Sequence, residues 1–404
     1  MDFLRRHAGF ALGYFLIAAL LGVLLRAYPW FHMPFNYKFI LHTHSHIALL
    51  GWVYVAITTL IYTVYLKDTG VRKPYNIIFL ATQLCLLGML CTFPFQGYGL
   101  YSIIFSTLFL FASYTFAWFF IRQCPLKFKT SHSFRLLRAS LGYMVLSSLG
   151  PWALGGIMNT LGPTSDWYRL AIYFYLHFQY NGWMFLALLG LLFYVAEQGK
   201  LTIPGKWFRR FYRLLNAAII LSFLLSVLWM KPAWYIYLAA GLGAGLQGLA
   251  LVMLGKLFFS QWVVFGSLFS RTNRRMLILT GLLLAVKVLL QLLITLPVFA
   301  NLAARIPDFV IGYLHWTFLG VISLWLFVLL KHFKLLRLPA GALWLYLTGF
   351  FTTELLIFYK GIAAWTGIKL FEGYFETLTL MSLFFPVALT IWILNKRPAL
   401  PNDA

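Results

Sequence analysis

The stretch His42-Thr43-His44-Ser45-His46-Ile47-Ala48-Leu49-Leu50-Gly51-Trp52 places three imidazoles at the head of an apolar run. Its core recurs twice, as His177-Phe178-Gln179-Tyr180-Asn181-Gly182-Trp183 and as His315-Trp316-Thr317-Phe318-Leu319-Gly320. Each copy is a histidine followed by glycine five residues later, and the copies lie 131 and 138 residues apart. A histidine and a glycine at this spacing say little alone. Their recurrence inside long apolar segments says that the chain is built from three related units.

Working outward from these stretches, the whole chain is apolar. Hydrophobic residues make up 62% of its 404 residues and charged residues 10%, too little charge for a soluble protein of this size. A helix crosses a hydrocarbon core of roughly 30 Å in about 20 apolar residues. The sequence offers twelve such helices, at about 8–28, 39–66, 76–95, 101–121, 139–160, 168–196, 212–230, 233–256, 276–299, 308–330, 341–360 and 373–395. The histidine stretches fall on the second, sixth and tenth, four helices apart each time. The expected fold is all-α: a polytopic membrane protein of about twelve transmembrane helices, in a pseudo-threefold arrangement of four-helix units. These units cover about 8–121, 139–256 and 276–395 of a single transmembrane domain over 1–404. The first apolar stretch follows Arg5 and Arg6 and is too long for a signal-peptide core, so it reads as a retained helix.

The net charge of +23 is a topology signal. Of the 32 Lys and Arg, 24 fall in alternate gaps between helices, among them Arg5, Arg72, Arg135, Arg209, Arg274, Lys334 and Lys396 with Arg397. Seven fall in the other gaps, and Lys287 lies mid-helix. That asymmetry orients the chain with both termini in the cytoplasm of a bacterial cytoplasmic (inner) membrane. It assigns the basic residues to the lipid bilayer as partner and excludes nucleic acid. Cys85, Cys91 and Cys124 have neither metal-ligand spacing nor a disulfide pattern.

Five histidines lie at membrane depth: His42, His44, His46, His177 and His315. The other four, His7, His32, His132 and His332, lie near helix ends or loops and are assigned no metal role. Polar groups in a bilayer are costly and face a bundle interior or a cavity. Neutral imidazole is the commonest protein ligand for transition metals and a common ligand of haem iron. On a helix, His42 and His46 share a face and His44 points roughly the opposite way. Glycine one turn on admits either a flat macrocycle or a neighbouring helix. Tyr180, Asn181, Glu354 and Lys287 are the further buried polar groups, candidates for a second shell or a proton path, with Gln247 and Gln291 also embedded. Glu372 and Glu376 read as acids at a helix N-terminus.

The segment His44-Ser45-His46-Ile47-Ala48-Leu49-Leu50-Gly51-Trp52 resembles the His-x-His-x4-Gly segment of the haem-copper oxidase catalytic subunit, especially of cbb3-type oxidases and nitric oxide reductases. It is also similar to the His-x-His segment of NnrS-type membrane proteins, and His315-x4-Gly320 resembles their later histidine helix. The resemblance implies a b-type haem held by His42, His44 or His46 and by His315. It implies that His177 is the ligand of a second metal (copper, iron or zinc); a divergent oxidase would improvise its metal site from His42, His46 and His177. The seventh helix carries no histidine and the tenth only one, so the family's full two-haem and copper set is not assembled from these residues. The NnrS-type proteins, which also lack that set, are the closer analogy.

The expected function is therefore a haem-binding membrane protein that handles nitric oxide or another diatomic gas, or passes electrons to a redox partner or cytochrome subunit. Two alternatives stand beside it. One is an oxidoreductase, a divergent terminal oxidase or nitric oxide reductase subunit. The other is an ion or solute transporter using its intramembrane histidines.

Overall fold

The computed structural model describes residues 2–31 and 33–395; His32, Lys396 and Arg397, used above, lie outside the described residues. Twelve helices are long and apolar enough to cross a membrane: α1 (Asp2–Ala27), α2 (Tyr37–Tyr65), α3 (Arg72–Gln96), α4 (Leu100–Gln123), α5 (His132–Thr160), α6 (Asp166–Gln198), α7 (Gly205–Met230), α8 (Trp234–Ser260), α9 (Arg271–Leu293), α10 (Pro307–His332), α11 (Ala340–Thr366) and α12 (Tyr374–Leu394). There is no strand among the described residues. The protein is an all-α polytopic membrane protein, as its apolar segments require.

Local chemistry explains the helix ends. Ser131, Ser165 and Ser270 cap α5, α6 and α9 by accepting backbone N–H groups, and Asn36 does the same for α2. Pro307 opens α10, where its missing N–H costs nothing. The Glu197 carboxylate, at the end of α6, accepts the backbone N–H groups of His132 (2.8 Å) and Ser133 (3.2 Å). It thereby places a negative charge at the N-terminus of α5. Pro151 and Pro386 each interrupt their helices a turn upstream, at Ser148 and at Leu383. Several boundaries differ from expectation: the first and fifth helices begin earlier, at Asp2 and His132, and three further differences have a local cause or consequence. The ninth helix ends at Leu293 because a separate short helix begins at Pro297. The seventh begins at Gly205, so Lys206, Arg209, Arg210 and Arg213 are helical. The eleventh runs on to Thr366 and stops at Gly367, whose φ of +75° suits glycine.

Backbone packing divides the chain into two compact units, Met1–Pro125 with Leu326–Ala404, and Leu126–Trp325. In the first, Phe15 of α1 stacks on Trp52 of α2 at 4.8 Å, and Arg26 at the end of α1 donates to the Ser382 hydroxyl of α12 at 2.6 Å. In the second, α5 lies along α6, and Tyr143 of α5 donates its hydroxyl to the Asn216 amide oxygen of α7 at 3.0 Å.

The three histidine helices stand apart from the rest in two ways. Their apolar windows are 94%, 89% and 67% buried for α2, α6 and α10, against 33–44% for the other nine. Each also changes its winding at the histidine. A π-helical segment spans Ile47–Tyr54, Phe178–Met184 and Trp316–Ser323, starting directly after His46, His177 and His315. A π turn closes its hydrogen bond over five residues, which is the spacing from each histidine to its glycine. The sequence repeat is thus a repeat of backbone geometry, and π turns often accompany functional sites.

Candidate functional site

The glycines of the repeat serve helix packing. A Cβ on Gly51 would lie 2.7 Å from both Cβ and Cγ of Tyr14 on α1. A Cβ on Gly182 would meet Cβ and Cγ of Tyr143 on α5 at the same 2.7 Å. Of the two occupants open to these glycines, a macrocycle or a helix, the structure places a helix. The pairing has a sequence signal of its own, Leu12-Gly13-Tyr14 and Leu141-Gly142-Tyr143, whose third counterpart is Thr280-Gly281-Leu282 on α9. At that third pair the link is a hydrogen bond, from the Trp316 indole N–H to the Leu283 carbonyl at 2.9 Å.

In the first unit, α2 presents its histidines to two surroundings, as their spacing predicts. His44 turns toward α1. Its Nδ1 lies 2.8 Å from the Ala18 carbonyl, and Gly22 makes the room, since a Cβ there would sit 3.2 Å from His44 Cε1. His42 and His46 face α3 instead. The His46 ring packs on Phe93 at 4.5 Å, and the His42 ring on Tyr98 at 4.6 Å. Phe93 and Tyr98 are themselves in edge contact at 5.2 Å. His46 Nδ1 lies 2.8 Å from the His42 carbonyl one turn back.

In the second unit, His315 repeats the His46 arrangement, with Nδ1 3.0 Å from the Ile311 carbonyl one turn back. His177 does not. Its Nε2 lies 2.8 Å from the Ile219 carbonyl of α7, and its Nδ1 lies 3.2 Å from the Asn181 amide nitrogen. A carbonyl only accepts, so these contacts fix the tautomer of each ring. His44, His46 and His315 carry the proton on Nδ1 and the lone pair on Nε2. His177 carries its proton on Nε2, and its Nδ1 lone pair accepts from Asn181.

This difference bears on which ring nitrogens could serve as ligands. A metal-binding histidine characteristically donates one ring N–H to a carbonyl or carboxylate, which orients the other nitrogen as ligand. His44, His46 and His315 meet that description. His177 has both nitrogens engaged within the protein and does not fit a ligand role in this arrangement. Among the described residues, no three of His, Cys, Asp and Glu come together as a group able to hold a metal ion. His44, His46 and His315 thus each show the hydrogen-bond arrangement of a histidine that ligates through Nε2.

The remaining candidates separate by unit. Asn181 joins His177 to Lys287: the lysine ammonium of α9 donates to the Asn181 amide oxygen at 2.7 Å and to Gln291 at 3.0 Å. The rings of Tyr180 and Tyr313 each lie 5.8 Å from the Lys287 nitrogen. Glu354 is on α11 in the first unit, 1% exposed, and neither carboxyl oxygen has a hydrogen-bond partner among the described residues.

No protein-family model matches the sequence, and no curated protein matches it.

Proposed function

We propose that this chain is a haem-binding integral membrane protein of the bacterial inner membrane. Its axial-ligand candidates are His44, His46 and His315, and its role is to handle a diatomic gas such as nitric oxide or to pass electrons. The observation that carries this reading is the shared tautomer of those three rings, each held by a backbone carbonyl at Nδ1 and so bearing its lone pair on Nε2. The recurrence of this arrangement at the head of a π turn, in His46 and again in His315, supports it. The resemblance to haem-copper oxidases and NnrS-type proteins rests on the same residues.

A bound haem would supply reversible one-electron chemistry or an open iron position for a gas, according to how many axial ligands the protein provides. The residues here set the rest. Backbone carbonyls fix ring tautomer and orientation, and Phe93 and Tyr98 pack His42 and His46 into a fixed aromatic setting. His177, with both nitrogens engaged, is left out of this proposal.

The test is a reduced-minus-oxidised spectrum of the purified protein in detergent, with carbon monoxide added to the reduced form. The expected result is a Soret difference band at about one haem per chain. A protein with no Soret band and no stoichiometric iron after expression with haem supplied contradicts the proposal. A response to carbon monoxide assigns gas binding, and its absence assigns electron transfer.

A further inference from the structure

A second site lies in the Leu126–Trp325 unit, and it does not depend on haem. Side chains of α6, α7, α8 and α9 line a cavity, partly open, whose space for a water-sized sphere is about 30 Å³, room for at least one water-sized occupant. Of its twelve lining residues nine are apolar, and the other three are Asn181, Gln247 and Lys287. All three are nine-tenths buried or more, at 4%, 9% and 5% exposure. No Asp or Glu lines the cavity.

The donors there outnumber their partners. An ammonium has three N–H donors, and Lys287 gives two of them to the amide oxygens of Asn181 and Gln291. The Asn181 amide nitrogen has two hydrogens, one spent on His177. The Gln247 amide nitrogen likewise spends one on the Ser222 hydroxyl, at 2.8 Å. One N–H remains on Lys287 and one on Gln247, and the second Asn181 N–H lies beside the Tyr180 hydroxyl. A buried cation is normally paired with an anion, and here its hydrogen-bonding neighbours are amides and its other close groups are tyrosine faces. Buried N–H donors, a lysine nitrogen that carries positive charge whenever it is protonated, and a water-sized space describe a receptor for a small anion.

We propose that this cavity binds a monovalent anion of halide size, held by the Lys287 ammonium and by the Gln247 amide N–H group. The anion supplies the counter-charge that the sequence does not. Gluconate, many times the size of a halide, is the non-binding comparison.

The experiment is thermal unfolding of the full-length protein in detergent, titrated with chloride or bromide against gluconate at constant ionic strength. A ligand that binds only the folded state raises the midpoint in a saturable way. Wild type is expected to respond to chloride and bromide and not to gluconate. Lys287→Met is expected to lose the response. Asn181→Asp supplies a fixed carboxylate beside the ammonium and is expected to lose it as well, with the lysine retained. Gln247→Leu removes one hydrogen bond to a charged ligand and is expected to raise the half-saturating concentration about tenfold. Equal midpoints in halide and gluconate for wild type overturn the proposal, as does a full halide response in Asn181→Asp. The Asn181 and Gln247 variants decide the question even if Lys287→Met fails to fold.

Discussion

Replacing Gly182 by alanine tests the repeat at its tightest contact. The added Cβ would lie 2.7 Å from Tyr143 Cβ and Cγ and 3.2 Å from Cδ1. Ordinary contact between carbons is about 3.5–4.0 Å, so α5 and α6 must part by roughly an ångström. Cβ and Cγ sit at the root of the side chain, where rotation about χ2 gives no relief. Overpacking of this kind costs about 1–3 kcal/mol. Moving Tyr143 also strains its 3.0 Å bond to Asn216, worth about 1 kcal/mol. The expected loss is about 2–4 kcal/mol. Gly245 on α8 is the control: nothing lies within 4 Å of its added Cβ, and Gly→Ala in an open helical position gains about 0.5–1 kcal/mol. The assay is the unfolding midpoint of each variant in the same detergent. Gly51→Ala, with the same 2.7 Å contact to Tyr14, is expected to match Gly182→Ala. If Gly182→Ala is as stable as Gly245→Ala, the close-packed repeat described here is wrong.

Other outcomes follow from single contacts. Asn181→Leu strands both the His177 Nδ1 lone pair and a Lys287 donor; at about 1–3 kcal/mol for each buried group left unpaired, its unfolding midpoint should fall well below that of Asn216→Leu, and equal midpoints would refute the network. Glu197→Gln weakens the charge at the start of α5 and should cost about 1 kcal/mol, read as a lowered melting temperature. Gly22→Ala presses a methyl group toward His44; if His44 ligates haem, the Soret maximum moves while the melting temperature stays near wild type. If the charge asymmetry orients both termini to the cytoplasm, cysteines placed in the 199–204 loop should be shielded from an impermeant reagent in intact cells, and those in the 161–165 loop labelled; the reverse pattern would invert the orientation.

The helix count and the histidine helices were legible in the sequence because they rest on long-range regularities: apolar length, alternating charge and a motif recurring every fourth helix. The opposed directions of His44 and of His42 with His46 were legible too, because two residues turn a helix by more than half a circle. The π winding was not read, although the five-residue spacing from histidine to glycine was its signature. Nor was the role of Gly51 and Gly182 decided, because the tyrosines they accommodate lie 37 and 39 residues away on another helix. His177 matches His46 and His315 in motif and departs from them in hydrogen bonding. What differs is context: the Ile219 carbonyl lies opposite its Nε2, and position 181 is asparagine where the first repeat has Leu50. The Lys287 network joins residues 106 positions apart, beyond any local pattern.

Under the proposed function, ring tautomer separates His44, His46 and His315, which would hold haem, from His177, which would not. The direct measurement is haem content and the Soret band in four purified variants: His44→Ala, His46→Ala, His315→Ala and His177→Ala. The account predicts a shifted or lost spectrum in at least one of the first three and an unchanged spectrum per folded chain in His177→Ala. Haem lost only from His177→Ala, with the other three unaltered, would contradict it.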